Sequence, residues 1–511
     1  MAVARTRSVA LVGVTGRTVE VEADVGNGLA GIHLIGLPDT ALSEARDRVR
    51  SALVNSNYPW PDARIIVSLF PASLPKRGSQ FDLAIAMSIM GAAGVVPTER
   101  ITETFFLGEL GLDGRIRPVR GVLPSILGAA KHGEVTVVIP SANSAEAALV
   151  PDVKVVPVAH LRQLVEWLRT GDDPPELPIE ECVEPPKPTT EPAVDLADVV
   201  GQPLARRALE VCAAGGHNLW MLGPPGTGKT LLAERLPTLL PDLELDHALE
   251  VTAIHSVAGV LPPNAPMMSR PPFVSPHHTA TSAAIIGGGS TVVRPGAVSL
   301  AHRGVLFMDE APEFPRHVLD SLRQPLESGR VTVSRSMGSV TFPARFMLVM
   351  AANPCPCAQA EDQGENCKCT PTVRRRYLGR LSGPLLDRVD MKVPVVRSSR
   401  RELMADRQFV ETSKTVAERV LVARERSAKR LAGTSWRTNA EIPSSILHAD
   451  FRPSPAAMKP MTSCLDSGTL TARGLDRVVR VAWTLADLAN KAGPGEEETT
   501  AALSFWLGVK S

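Results

Sequence analysis

The sequence predicts an α/β fold in three parts, on three observations. A short apolar run at 218–222 passes through a glycine-rich loop into a helical pattern at 231–236, the strand-loop-helix unit of a parallel sheet. Residues 171–195 are rich in proline and acid and lack apolar periodicity, which marks a linker. From about Ser399 onward the apolar spacing is mostly helical. The resulting division is 1–170, 171–195, 196–398 and 399–511.

In the first part, residues 18–23 alternate as a half-exposed strand, and 63–69 and 135–140 read as more buried strands. Helical patterns at 40–55 and 81–93 intervene, so this part is itself an α/β domain. After the linker, 304–308 and 346–350 read as buried strands and 319–326 as a helix. Residues 329–335 and 339–343 alternate around Met337-Gly338, a hairpin signal. The hairpin reads either as a lever inserted into the core or as surface decoration. The segment 251–300 has length without strong periodicity, which points to a functional insertion.

A chain of 511 residues exceeds one hydrophobic core, so two to four domains are expected. The net charge of +1 argues against a globally basic nucleic-acid coat and leaves room for local basic stripes. No stretch approaches the ~18 uncharged apolar residues of a membrane span. The basic start Met1-Ala2-Val3-Ala4-Arg5-Thr6-Arg7 has no apolar block behind it, so a soluble, cytoplasmic protein is expected. Of seven cysteines, four lie between 355 and 369, which fits a metal site in a reducing compartment better than a disulfide framework.

The glycine-rich loop is Gly223-Pro224-Pro225-Gly226-Thr227-Gly228-Lys229-Thr230, a match to G-x-x-x-x-G-K-[ST] at every fixed position. On a strand-to-helix turn its N–H groups and the helix N-terminus can wrap the β- and γ-phosphates of ATP. Lys229 would neutralise charge and Thr230 would offer a hydroxyl to Mg²⁺. The run 304–308 ends in Asp309-Glu310: Asp309 is placed to orient Mg²⁺, and Glu310 to polarise the water that attacks the γ-phosphate. Asn353, at the end of the strand expected beside that pair, is the candidate amide for holding the water. Arg388, near the end of a helix and facing a neighbouring subunit, is the candidate for stabilising phosphoryl charge in trans.

Cys355, Cys357, Cys367 and Cys369 form two close pairs on one polar loop, which can surround Zn²⁺ with four thiolates; free or redox-active thiols are the alternative. Arg374-Arg375-Arg376 is either a nucleic-acid contact or a solvated face. His277-His278 has no cysteine or carboxylate near it in sequence, which favours a loop-contact role over metal binding.

Together with Ser275-Pro276-His277-His278-Thr279, Ala352-Asn353-Pro354-Cys355-Pro356-Cys357 and Ser382-Gly383-Pro384-Leu385-Leu386-Asp387-Arg388, these motifs resemble an AAA+ ATPase of the magnesium-chelatase-like group. The resemblance to the bacterial ComM (YifB) family extends over almost the whole chain. It implies that Asn353 is sensor 1, Arg388 the arginine finger and Arg473 sensor 2 on a helical lid. It also implies helix-2 and pre-sensor-1 insertions, and a homo-hexameric ring with ATP between subunits. The function it implies is a DNA helicase acting in branch migration during recombination or natural transformation, with single-stranded or branched DNA as partner. The first domain is similar to the ribosomal-S5-like fold of the Lon protease domain. Gln80 stands where that domain's nucleophile aligns, with Ser79 one place off, and Leu123 stands where the lysine base belongs, leaving Lys131 as the other lysine to weigh. A Ser-Lys nucleophile needs both groups in hydrogen-bond reach, so a protease fold without protease chemistry is expected, serving as a collar or substrate-contact domain. Two rival functions remain: a magnesium-chelatase-type ATPase remodelling a protein partner, and an ATP-dependent protease-like unfoldase.

Overall fold

The structure, a computed structural model, describes residues 2–36, 44–74, 76, 78–172, 194–262, 266–289, 293–335, 338–357, 367 and 369–508. Most of the expected linker lies outside these residues. So do the start of the helix expected at 40–55, the Met337 turn of the hairpin and the loop between the cysteine pairs.

The amino-terminal domain is built on a seven-stranded mixed sheet. Its order is Gly31–Ile35, Arg64–Phe70, Thr15–Gly26, Ala2–Val12, Thr104–Phe106, Thr136–Pro140 and Lys154–Val158. The two long strands pair antiparallel from Ala2↔Val25 to Val12↔Thr15. Gly13, at φ 66°, permits the tight turn between them. Helix Asp82–Ala92 is buried along its whole length. Apart from Asp82 and Ser88 its side chains are apolar all round, and it packs over this sheet.

The second sheet has the order Phe273–Val274, Val305–Met308, Met347–Ala352, Leu219–Leu222, Met391–Pro394. All of its pairings are parallel. Val305–Met308 and Met347–Ala352 are buried throughout, as expected for strands covered on both faces. The carboxy-terminal helices Ser413–Arg430, Ala472–Leu488 and Glu496–Leu507 share one apolar cluster with this sheet: Val420, Val479 and Phe505 belong to the same core as Val305, Val349 and Met391. The boundary read at 399 therefore marks a change of secondary structure and not a gap in packing.

Two expectations need correction. The segment 251–300 begins inside helix Leu245–Ala258, whose two-sided burial hides the one-faced periodicity that reading relied on. The helix expected at 319–326 is two short ones, Arg316–Ser321 and Arg323–Ser328. Pro325 has no N–H to give the carbonyl four residues back, which explains the break. The hairpin is formed as expected, Arg330–Arg335 pairing antiparallel with Gly338–Pro343.

The first domain rests on two parts of the second. Leu249 and Ala253 of helix Leu245–Ala258 pack into the cluster around Val122, Leu123 and Ile126. Beside them the Ser256 hydroxyl donates to the Glu146 carboxylate, which also accepts the Leu123 N–H at 2.8 Å. At the hairpin, a Cβ on Gly13 would lie 2.7 Å from the Thr341 carbonyl, so the turn and the strand meet backbone to backbone.

Candidate ATP site

Strand Leu219–Leu222 delivers the loop at the carboxy-terminal edge of the parallel sheet. Gly223 donates its N–H to the Ala352 carbonyl at 3.1 Å, and a Cβ there would come within 2.0 Å of the Val395 carbonyl. Gly226 and Gly228 take left-handed φ values of 77° and 86°. These turns aim the loop's N–H groups inward and let helix Lys229–Arg235 begin at the lysine. The Thr227 hydroxyl donates to the Pro224 carbonyl at 2.9 Å and braces the loop.

Five sequence-predicted residues meet here: Lys229, Thr230, Asp309, Glu310 and Asn353. The Lys229 ammonium donates to the carbonyls of Gly223 at 2.7 Å and Pro224 at 2.8 Å, and to Asn353 Oδ1 at 3.1 Å. Burial lowers its pKa, while the charges of Asp309 and Glu310 oppose that shift. The Thr230 hydroxyl donates to Asp309 Oδ2 at 2.8 Å. Asp309 Oδ1 accepts the Glu310 N–H at 2.9 Å. Glu310 adopts φ 49° and ψ 43°, a left-handed conformation costly for a residue with a side chain, and its carboxylate is half exposed. A hydroxyl and a carboxylate oxygen in contact beside a phosphate-binding loop suit Mg²⁺, which is held by few protein oxygens and the substrate's phosphates.

Arg388 and Arg473 are not brought to this edge. The Arg388 carbonyl accepts from Asn218 Nδ2 at 2.8 Å, at the start of the P-loop strand. Leu219–Leu222 spans about 13 Å, so Arg388 and the chain's own P-loop lie at opposite ends of it. The Arg388 guanidinium donates to Glu327 and to the Pro384 carbonyl, and its side chain is 10% exposed. Arg473 is 76% exposed and lies 4.0 Å from Asp387, beside Arg388. Helix Ala472–Leu488 is tied to this opposite edge by Arg477, which donates to the fully buried Asp390 at 2.9 Å. Burial works to raise the Asp390 pKa, but Arg477, His217 and the Asn218 N–H overcome it and hold the carboxyl well below the usual range.

The sulfurs of Cys355, Cys357, Cys367 and Cys369 all lie within 4.8 Å of one another. The separations are 3.0 Å for Cys355–Cys357, 3.6 Å for Cys357–Cys367 and 3.4 Å for Cys355–Cys367. Four sulfurs at ~2.3 Å from a tetrahedral zinc ion stand about 3.8 Å apart. The donor set fits Zn²⁺ in number, type and spacing. Burial and the neighbouring thiols of Cys357 and Cys367 push the Cys355 thiol up to about 12. Of the basic triplet, Arg375 and Arg376 are exposed on the last turn of helix Pro371–Leu378, where cations also suit the helix dipole.

Sequence proximity places no carboxylate near the histidine pair, but the fold does: His278 Nδ1 lies 3.5 Å from Glu310 Oε2. In the first domain, the Ser79 hydroxyl is bonded to the Glu109 carboxylate, and Gln80 donates to the Val9 carbonyl at 2.9 Å. Leu123 is buried, and Lys131 is exposed.

A parallel five-stranded sheet with a P-loop on its fourth strand, paired acids after its second and an amide after its third defines an AAA+ ATPase core. The comparisons carry this further. Family models match along the chain: "Subunit ChlI of Mg-chelatase" at residues 21–143, "Magnesium chelatase, subunit ChlI" at 195–403, and "Magnesium chelatase, subunit ChlI C-terminal" at 410–506. An uncharacterized protein of Mycobacterium tuberculosis is 52% identical over 505 residues, 99% of each chain. The uncharacterized protein YifB of Escherichia coli is 40% identical over 94% of this chain and 92% of its own. The competence protein ComM of Haemophilus influenzae is 40% identical over 100% of this chain and 98% of its own. The chain belongs to the ComM/YifB family of magnesium-chelatase-like AAA+ proteins.

Proposed function

We propose that this chain is an ATP-hydrolysing motor that assembles as a homo-hexameric ring and moves branched or single-stranded DNA. The observation that supports the ring most directly is the division of the candidate site between two edges of one sheet. Lys229, Thr230, Asp309, Glu310 and Asn353 gather at the carboxy-terminal edge, while Arg388 and Arg473 stand at the other. A nucleotide served by all of them lies between two copies of the chain. In this reading Gly223, Pro224, Pro225, Gly226, Thr227 and Gly228 wrap the triphosphate, and Lys229 neutralises it. Thr230 and Asp309 would hold Mg²⁺, which would supply positive charge beside the triphosphate. Glu310 takes the proton of the attacking water and Asn353 orients that water. Arg388 and Arg473 of the adjoining copy bring positive charge to the γ-phosphate.

Support for DNA as the substrate comes from the relative named a competence protein and from the hairpin Arg330–Arg335 with Gly338–Pro343 carried on the ATPase core. Zinc on the four cysteines would serve structurally, closing the loop that follows Asn353. The amino-terminal domain, read as a Lon-like fold in which Ser79 meets a carboxylate, acts as a collar without peptidase chemistry.

The test is ATP turnover against protein concentration, with and without branched and single-stranded DNA, across a salt series. Turnover per chain should rise with concentration as rings form, and DNA should stimulate it less as salt increases. Turnover without stimulation or salt-sensitive DNA binding favours the chelatase-type reading, in which the ring remodels a protein partner.

A further inference from the structure

The histidine pair is left over by the function proposed above, and its place in the fold is specific. Strand Phe273–Val274 pairs in parallel with Val305–Met308 in the register Phe273↔Val305 and Val274↔Leu306. The chain leaving Val274 therefore runs alongside the chain leaving Met308, and His278 arrives 3.5 Å from the Glu310 carboxylate. The His278 ring is held on two sides, by the His277 ring at 4.1 Å and by the edge of Phe314 at 6.5 Å. His277 is in turn fixed by the Thr279 hydroxyl, 2.8 Å from its Nδ1. The Glu310 carboxylate makes no other hydrogen bond or ion pair among the described residues, although its charge also acts on Lys229 and Tyr377, and its left-handed backbone sets its direction.

We propose that His278 is a positioning residue for Glu310, holding the carboxylate through Nδ1 and so setting the direction from which it meets the attacking water. Contacts of this kind are often long before substrate binds and tighten in the complex. Packing fixes the flank on which the pair meets. Ile285 of helix Ser282–Ile286 is fully buried in one cluster with Ala311 and Phe314, which directly follow Glu310. The inference rests on the ATPase reading and adds to it a second residue acting on the same base.

The experiment compares steady-state ATP turnover and equilibrium ATP binding for the full-length chain, His278→Ala, His278→Asn, Glu310→Gln and the double variant His278→Ala/Glu310→Gln. Loss of positioning should lower kcat about ten-fold or more in His278→Ala, leave KM and the binding constant for ATP within about two-fold, and be largely rescued by His278→Asn, whose amide can still hydrogen-bond the carboxylate. The double variant should turn over at the rate of Glu310→Gln alone, because His278 acts only through that carboxylate. A kcat for His278→Ala within about two-fold of the original, a loss confined to KM, or effects that multiply in the double variant would each overturn the inference while leaving the ATPase reading intact. No turnover in the unmodified chain at any concentration would overturn both. Equal thermal midpoints separate loss of positioning from loss of fold; a variant that melts early is replaced by His278→Gln, to which the same outcomes apply.

Discussion

Glu310 is the residue whose chemistry most plainly separates binding from hydrolysis. Its carboxylate stands half exposed beside an Asp309 already engaged with Thr230. Glu310→Gln keeps the size and removes the basicity, so kcat should fall by about 10²–10⁴ while ATP binding persists. Lys229→Ala should instead abolish binding, as titration calorimetry would show, because Lys229 is the cation buried in the loop. Arg388 has a different kind of dependence. Within one chain its guanidinium is turned onto Glu327, so a role across a subunit interface requires that pair to open. Arg388→Ala should lower turnover by about 10³-fold or more without weakening ATP binding, as for an arginine supplied in trans. Mixing Arg388→Ala with Lys229→Ala should restore activity, since each supplies the half-site the other lacks. A mixture as inactive as its components would place the two residues in the same site.

At the scale of elements, the junction of strand Met391–Pro394 with helix Ala472–Leu488 depends on one buried charge. Asp390 joins them through Arg477, and leaving it unpaired in Arg477→Ala should destabilise the fold by about 3–5 kcal/mol, read by urea unfolding. Because the folded Asp390 pKa lies below its unfolded value, this stabilisation is present above the ordinary aspartate range of ~4 and is lost as pH falls through the depressed folded value. The same loss on acidification should be missing from Asp390→Asn. For the cysteine loop, protein purified without chelator should carry one zinc ion per chain by elemental analysis, and Cys355→Ser or Cys367→Ser should carry markedly less. Three of the five parallel strands and the P-loop were legible in the sequence because continuous apolar runs and glycine spacing are local signals, whereas the short strands Phe273–Val274 and Met391–Pro394 were not. Helix Leu245–Ala258 was not, because burial on two sides erases periodicity. Nor was the break at Leu322, although Pro325 supplied a signal for it.

At the scale of the molecule, the amino-terminal domain packs on the AAA+ core through helix Leu245–Ala258 and through the middle of the hairpin strand Gly338–Pro343. Glu146→Ala removes the acceptor shared by Ser256 and Leu123 and should cost about 1–3 kcal/mol at that junction. Faster hydrogen exchange in helix Leu245–Ala258, with ATP affinity unchanged, would report it; unchanged exchange would show that the contact does not hold the domains together.

By itself the sequence determined the chemistry on offer: a phosphate loop, paired acids, an amide closing an apolar strand and four thiols. Each of these is a short run whose meaning lies in residue type and spacing. Only the tertiary structure decided which groups share a site. Strand order and register set Asn353 against Lys229, and carried His278 across 32 residues to Glu310. They also put Arg388 and Arg473 at the far end of the sheet from their own P-loop. Distances between residues remote in sequence follow from how strands pair and cores close, and no local pattern encodes them.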